Sequence, residues 1–396
     1  MVFCVRCHPS SNTKSPTFVT ATMAQKTDIF RYFRFRRILV PLILGFAVSF
    51  YFLFWDGESQ SIRAGLSEIE WSKGALVWLL AAVGLMVIRD IGYILRLRVL
   101  TDKQLSWKQC FQVIMLWEFA SAISPGAIGG TAAAVVIMAQ EKLKTGMTTA
   151  VVLITSFLDE MYYMVMTPIA FWAVGGTTLF PDFADASFKS VINTGNLRML
   201  FWSGYLFLLV WTIFLAFALF ITPNISRKII RFVVSFPLLR KFKAKAFAFS
   251  DNLFTASNEF KQKPISFWVK SGAATALTWT ARFLVINCLI QLLNHVDASE
   301  NWVIFGKQLV MWILLMIAIT PGGSGIAELI FPAFMGPYIP TKKISRQLSV
   351  LWRMITYYPY ILMGVVVLPY WMRRVGLERR LNAIRLKKNR PKSDDV

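Results

Sequence analysis

The segment AISPGAIG at residues 122–129 recurs as AITPGGSG at residues 318–325, and these two stretches decide the predicted fold. Each interrupts a long apolar run, 111–140 in the first case and 303–337 in the second. Proline removes a backbone donor from a helix, and glycine adopts conformations that end one. Each run is therefore predicted to be a helical hairpin with a break in the middle rather than one straight helix.

The two breaks share most of their residues. They are Ser124, Pro125, Gly126 and Gly129 in the first copy, and Thr320, Pro321, Gly322, Gly323 and Gly325 in the second. Tyrosine pairs at 162–163 and 357–358 follow the prolines at nearly equal spacing. These matches predict an internal repeat whose breaks line a polar cavity at membrane depth. The alternative is that each Pro-Gly pair only kinks a helix and permits close packing.

The composition excludes an ordinary water-soluble protein. Hydrophobic residues make up 56% of the 396 residues, and charged residues only 16%, whereas soluble domains contain about 25% charged residues. The formal net charge is +22. No segment is long enough to form a basic soluble domain, so we expect no nucleic-acid binding.

Most basic residues flank the apolar runs on one side, as the positive-inside rule describes for cytoplasmic segments. The sequence predicts a multi-pass protein of the inner (plasma) membrane with both termini in the cytoplasm, although Met23 is an alternative start. The predicted organisation is a cytoplasmic basic tail at 1–37, membrane repeat 1 at 38–174, an outer loop at 175–198, membrane repeat 2 at 199–372 with a cytoplasmic basic loop at 223–264, and a cytoplasmic basic tail at 373–396.

This charge pattern predicts that the halves have opposite orientations. The first hairpin begins and ends at cytoplasmic segments, whereas the second must begin and end outside so that the last helix, about 348–371, delivers the basic tail inside. The predicted fold class is an all-α polytopic membrane protein with two inverted-topology repeats, each of three membrane helices and a Pro-Gly-broken hairpin. Lys342, Lys343 and Arg346 fall on the outer side in this arrangement, against the rule.

Ionisable residues inside spans are costly and therefore indicate function. The predicted substrate-binding residues are Arg89, Arg282, Arg353, Glu328, Asp159, Glu160 and Glu118. The arginines would hold a lipid phosphate, and the acids would offset or gate that charge. The alternatives are pairing between helices, snorkelling of Arg89 towards the inner surface, and a capping role for Glu328 at the start of its half-helix.

No cofactor or metal site is expected. Cys4, Cys7 and His8 form a C-x-x-C-H pattern, which is typical of covalent haem attachment. This pattern precedes a basic run, and no export signal or haem-binding domain accompanies it. The only other histidine is His295, so a histidine-based metal site has little support.

The second break, TPGGSGIAE at 320–328, resembles the P-G-G-x-G-x-x-E signature of the lysylphosphatidylglycerol synthase transmembrane-region family. The resemblance covers roughly 38–372 and implies a flippase of aminoacylated phospholipids. It assigns the signature to Pro321, Gly322, Gly323, Gly325 and Glu328, and matches Arg353 to the family's arginine in the last helix. The first break departs from the family's P-x-R-x-G-E, because it lacks both the arginine and the glutamate.

The sequence therefore predicts a translocator that moves a phospholipid, or another anionic or aminoacylated lipid, between leaflets. Because no aminoacyl-transferase domain is recognised, we expect that the chain is not an enzyme. One alternative is a non-catalytic membrane partner that presents lipid to a separate glycosyl- or aminoacyl-transferase. Another is a membrane-embedded transferase with Glu328 or Asp159 as its base. Membrane lipids are the expected partners, and a homo-oligomer is compatible with the sequence.

Overall fold

The computed structural model describes residues 73–388 with several gaps. The gaps are Pro125, Lys142, Lys144, 182–193, 222–227, most of 229–259, 318–319, Pro321 and Ser324. The described part is helical and contains no strand, which confirms the all-α class. The predicted first span, the basic tails beyond the described residues and the two break prolines lie outside it.

The helices follow the predicted apolar runs. They are α1 (Lys73–Leu100), α2 (Trp107–Ile123), α3 (Gly126–Ala139), α4 (Thr145–Val174), α5 (Thr194–Ala216), α6 (Ile265–Gln291), α7 (Ala298–Ile317), α8 (Ile326–Met335), α9 (Lys342–Thr356) and α10 (Tyr358–Lys388). A π-helical turn, Phe217–Ile221, extends α5. Five helical stretches in the described part are long and apolar enough to cross a membrane, so the protein is a multi-pass membrane protein.

Helices α1 and α6 pack against each other in antiparallel directions. Ala75 and Leu292 form one cluster near one end of this pair, and at the other end Arg96 donates to Thr275 over 3.1 Å. Between them, a Cβ added at Gly92 would lie 2.2 Å from the Thr278 hydroxyl oxygen. Glycine is therefore required here because the two helix backbones approach so closely.

Each broken hairpin packs against the last long helix of the other half of the chain. Helix α2 meets α10 where Gly364 leaves room for the Phe119 ring, which a Cβ would approach to 2.1 Å. Helix α7 meets α4 where a Cβ added at Gly306 would lie 3.4 Å from Ala170. The halves therefore interlock, so neither hairpin is enclosed by its own half alone.

Both predicted breaks are present, but their glycines act differently. In the first break, Ser124 is extended, with φ −94° and ψ 141°, as expected for a residue before proline. The following glycines permit close packing, since a Cβ at Gly130 would lie 2.0 Å from the Ser121 hydroxyl oxygen. In the second break, Gly322, Gly323 and Gly325 adopt φ values of 57°, 69° and 85°, which glycine tolerates best.

The prediction of one continuous last helix at about 348–371 is wrong, because the structure divides this stretch between α9 and α10. Helix α9 ends at Thr356, and the next residue, Tyr357, has a φ of −127° and a ψ of −57°, which are not helical. Pro359 then occupies the second position of α10, where its missing N–H leaves no hydrogen bond unmade. The apolar run conceals this break.

A buried carboxylate ties the hairpin ends to α10. Glu141, just after α3, accepts hydrogen bonds from the Trp371 indole over 2.6 Å and from Gln109 over 2.9 Å. Arg374 binds the same carboxylate through both terminal nitrogens. Because the carboxylate is fully surrounded by donors, it is a structural tie at one end of the bundle.

Replacing Gly92 with valine should force α1 and α6 apart. Overpacking of this kind lowers the free energy of unfolding by about 1–3 kcal/mol, measurable as a reduced melting temperature in detergent. Gly84→Val is the matched control, because a Cβ at Gly84 meets nothing within 4 Å. Equal melting temperatures for the two variants would contradict the close approach at Gly92.

Candidate functional site

Arg89 lies at the centre of a buried ionic cluster on α1. Its guanidinium donates to Asp90 over 2.8 Å and pairs with Glu118 of α2. The Tyr360 hydroxyl of α10 donates to the two Asp90 oxygens over 2.9 and 3.0 Å. The Arg89 side chain is 0% exposed, whereas those of Asp90 and Glu118 are 23% and 21% exposed. The accessible part of this cluster is therefore acidic.

A second pair lies two turns further along α1. Arg96 binds both oxygens of Asp159 on α4. The Trp279 indole of α6 also donates to Asp159, over 2.7 Å. The Arg96 side chain is 3% exposed and that of Asp159 24%, so again the carboxylate is the accessible partner. Tyr93 lies between the two arginines, with ring contacts of 4.7 Å to Arg89 and 5.0 Å to Arg96.

Arg282 is held in a different way, by aromatic rings. Its guanidinium carbon lies 4.5 Å from the Trp312 ring centre and 5.5 Å from that of Trp279. Tyr163 stacks on Trp312, with 6.4 Å between ring centres, and fixes its position. Arg282 is half-buried, and in the part of the chain that the structure describes no carboxylate contacts it. Cation–π contacts hold a guanidinium without occupying all of its donors.

These groups form what we call the charged seam. Its members are Arg89, Asp90, Arg96, Glu118, Asp159 and Arg282. Three arginines and three acids balance in formal charge, which limits the cost of placing them at membrane depth. The indole of Trp279 joins Asp159 to Arg282, so the seam is continuous across α1, α2, α4 and α6.

The second break has its own ion pair. Glu328 accepts the Gly325 N–H over 2.7 Å and therefore caps α8. Arg353 of α9 lies 3.2 Å from Glu328 and donates to the Gly322 carbonyl over 2.9 Å. The side chains of Arg353 and Glu328 are 7% and 1% exposed. Glu328 itself thus supplies the anion at this helix end, as the capping alternative proposed.

Tyr357 joins the two breaks. Its hydroxyl donates to the carbonyl of Ala122 over 3.0 Å, at the last turn of α2. Its ring fills the space above Gly322, where a Cβ would lie 2.2 Å from the ring. The Arg353 guanidinium covers the same ring at 3.8 Å. One side chain therefore satisfies an otherwise unpaired carbonyl in one half and packs on the glycine turn of the other.

Glu160 faces away from the charged seam. Its carboxyl accepts a hydrogen bond from the Thr212 hydroxyl of α5 over 3.2 Å, while the preceding residue, Asp159, binds Arg96. Of the predicted substrate residues, the structure thus brings Arg89, Glu118, Asp159 and Arg282 into the seam. It joins Arg353 to Glu328 at the second break, and it separates Glu160 from both groups.

Sequence reasoning missed Arg96, Tyr93 and Tyr357. The spacing of Arg96 from Arg89 and Tyr93 puts all three on one helical face, and this is the local signal that could have identified it. The role of Tyr357 depends on a tertiary contact with Ala122, which no local pattern reveals. Among the described residues, no group of three His, Cys, Asp or Glu side chains could hold a metal ion.

Comparison with known proteins identifies the family. The model of the family described as "Lysylphosphatidylglycerol synthase TM region" matches residues 39–364. The chain belongs to this family. Family membership confirms the resemblance inferred from the second break, and it is consistent with a lipid-related role in the membrane.

Among curated proteins, a "UPF0104 membrane protein" of Archaeoglobus fulgidus is similar. It is 24% identical over 318 residues, which cover 77% of this chain and 90% of the relative. No solved structure matches the present chain.

Removing the cation of the second break should destabilise the protein strongly. Arg353→Met leaves the Glu328 carboxylate buried without its partner, which costs about 3–5 kcal/mol of unfolding free energy. The double variant Glu328→Gln/Arg353→Met should recover much of this loss, because glutamine still accepts the Gly325 N–H. Chemical unfolding in detergent measures both.

Arg198→Met serves as a control, because Arg198 is exposed and only covers the Phe180 ring at 5.3 Å. Its unfolding free energy should stay within about 0.5 kcal/mol of the wild type. If the double variant were as unstable as Arg353→Met alone, the pairing would not be the source of the loss.

Proposed function

We propose that this family member moves an anionic or aminoacylated phospholipid between bilayer leaflets and catalyses no covalent change. Arg282 carries this proposal. It is a half-buried arginine in a membrane-spanning helix, and its guanidinium rests on two indoles. No carboxylate among the described residues takes its donors, and a planar guanidinium of this kind matches the geometry of a phosphate group.

The other arginines are proposed to position the site. Arg89 and Arg96 are buried under carboxylates, and Arg353 is buried against Glu328. A headgroup phosphate would therefore bind Arg282, while buried arginines fix the acids around it. Arg89 and Arg353 remain in the proposed site as positioning residues, together with Glu118 and Asp159.

The accessible acids favour an aminoacylated phospholipid as the substrate. Asp90, Glu118 and Asp159 are each between 21% and 24% exposed, while Arg89 and Arg96 are buried. An amine on the lipid headgroup would meet these accessible carboxylates as its phosphate meets Arg282. Lipid tails would stay in the bilayer, against the apolar outer faces of the helices.

The packing supports the proposed inverted repeats. Corresponding helices of the two halves, α1 and α6, run antiparallel, as opposite insertion requires. The contact between α2 and α10 has its counterpart between α7 and α4. Transporters built from such repeats place the substrate site between the halves. We propose accordingly that both termini face the cytoplasm and that the protein resides in the plasma membrane.

The alternative is a protein that presents lipid to a separate lipid-modifying enzyme. The loop 223–264 contains nine Lys or Arg and two acids, and the tail contains nine Lys or Arg between Arg373 and Lys392. Both would be docking surfaces in this alternative. A purified protein that binds phospholipid without moving it between leaflets would favour the alternative.

Arg282→Ala should abolish lipid translocation in proteoliposomes, measured by the protection of a fluorescent aminoacylated phospholipid from a membrane-impermeant quencher. Arg282→Lys should retain only part of the rate, because an ammonium keeps the charge but cannot form two parallel hydrogen bonds. Arg198→Ala is the matched control, an arginine on an aromatic ring outside the seam. A wild-type rate for Arg282→Ala would overturn the assignment of the phosphate contact.

A further inference from the structure

We propose that Glu160 is a proton-binding site that couples lipid movement to the proton gradient, an inference that rests on the proposed function. Glu160 lies at the middle of α4, which spans Thr145–Val174. It is half-buried between α4 and α5. Neither the charged seam nor the second break uses it.

The immediate partners of Glu160 are neutral. The Thr212 hydroxyl donates to the carboxyl over 3.2 Å, and the neighbouring Trp211 side chain is its other hydrogen-bonding group. In the part of the chain that the structure describes, no lysine or arginine contacts Glu160. An ionised carboxylate at membrane depth usually requires a cation, and the described partners of Glu160 are a hydroxyl and an indole.

Each charged group that the structure describes on the surrounding helices contacts another side chain or lies elsewhere on its helix. Asp159 of α4 is the nearest, and it is bound by Arg96 and Trp279. On α6, Arg282 lies on Trp279 and Trp312, and Lys270 is exposed near the helix start. On α7, Lys307 lies beside Tyr338 at 6.0 Å. Tyr205 of α5 reaches the Met164 carbonyl, one turn beyond Glu160.

Two adjacent carboxyl groups thus have opposite environments. Three donors, from Arg96 and Trp279, surround the Asp159 carboxyl within the seam. Among the described residues no cation contacts Glu160, so this carboxyl can be neutral without leaving a positive charge unpaired. Such a division between neighbouring carboxyls is the pattern that assigns one to a fixed charge and the other to proton exchange.

The proposed exchange at Glu160 involves one proton and no other reactant. The Glu160 carboxylate takes one proton from water on one side of the membrane, and the neutral carboxylic acid returns it to water on the other side. No electron and no covalent bond to the lipid is involved.

The π-helical turn Phe217–Ile221 follows Thr212 closely on α5, and such turns mark places where a helix can shift.

Proton binding is tested first without transport. Infrared difference spectra of the full chain in lipid, recorded between acidic and alkaline buffer, should show a protonated-carboxyl band that is lost in Glu160→Gln. Thr212→Val is the matched control, because it removes only the hydroxyl partner and should keep the band. If the band persisted in Glu160→Gln, the proton would reside elsewhere and the proposal would be overturned.

Coupling is tested with the same proteins in proteoliposomes that carry an imposed pH difference. The gradient should accelerate translocation by the wild type and leave the rate of Glu160→Gln unchanged. A wild type that translocates equally fast with and without the gradient would overturn the coupling while leaving the proposed function intact. A wild type that never translocates, yet shows the titrating band, would overturn both the proposed function and its coupling.

Discussion

Hydrocarbon offers no hydrogen-bond partner, so every backbone and charged group at bilayer depth must be satisfied within the protein. The contact of Tyr357 with Ala122 shows how this chain meets that constraint. The first break leaves carbonyls unpaired at the end of α2, and a side chain from the second half supplies the donor. Because the same ring also packs on Gly322, the two breaks are stable only when the halves are assembled together.

The same constraint explains the order of the charged groups. In the charged seam, Arg89 and Arg96 are buried deepest, because each can satisfy several acceptors with a planar set of donors. Their carboxylate partners extend toward accessible space, and the half-buried Arg282 lies against aromatic rings. The result is a polar path whose charges are balanced overall but unevenly accessible. This imbalance is what gives the seam its proposed preference for a headgroup with both a phosphate and an amine.

Much of the architecture could be predicted from the sequence, because apolar runs and Pro-Gly breaks are local signals. The break before Pro125 follows from steric restriction of Ser124, and the second follows from three glycines. The division at Tyr357 was missed because it interrupts an apolar run, although Pro359 is a local signal for a new helix there. The ion pairs could not be predicted either. The sequence identifies acids and arginines at membrane depth, but it does not reveal that Asp159 pairs with Arg96 rather than with Arg282.

The proposed site requires the two broken hairpins to be inserted in opposite directions. Single cysteines at Lys108, which begins the first hairpin, and Ala298, which begins the second, report this directly in a chain whose four native cysteines are replaced. Both positions are exposed. We predict that an impermeant thiol reagent labels Lys108→Cys only from the cytoplasmic side and Ala298→Cys only from the outer side. Labelling of both from the same side would contradict the inverted arrangement and the site between its halves.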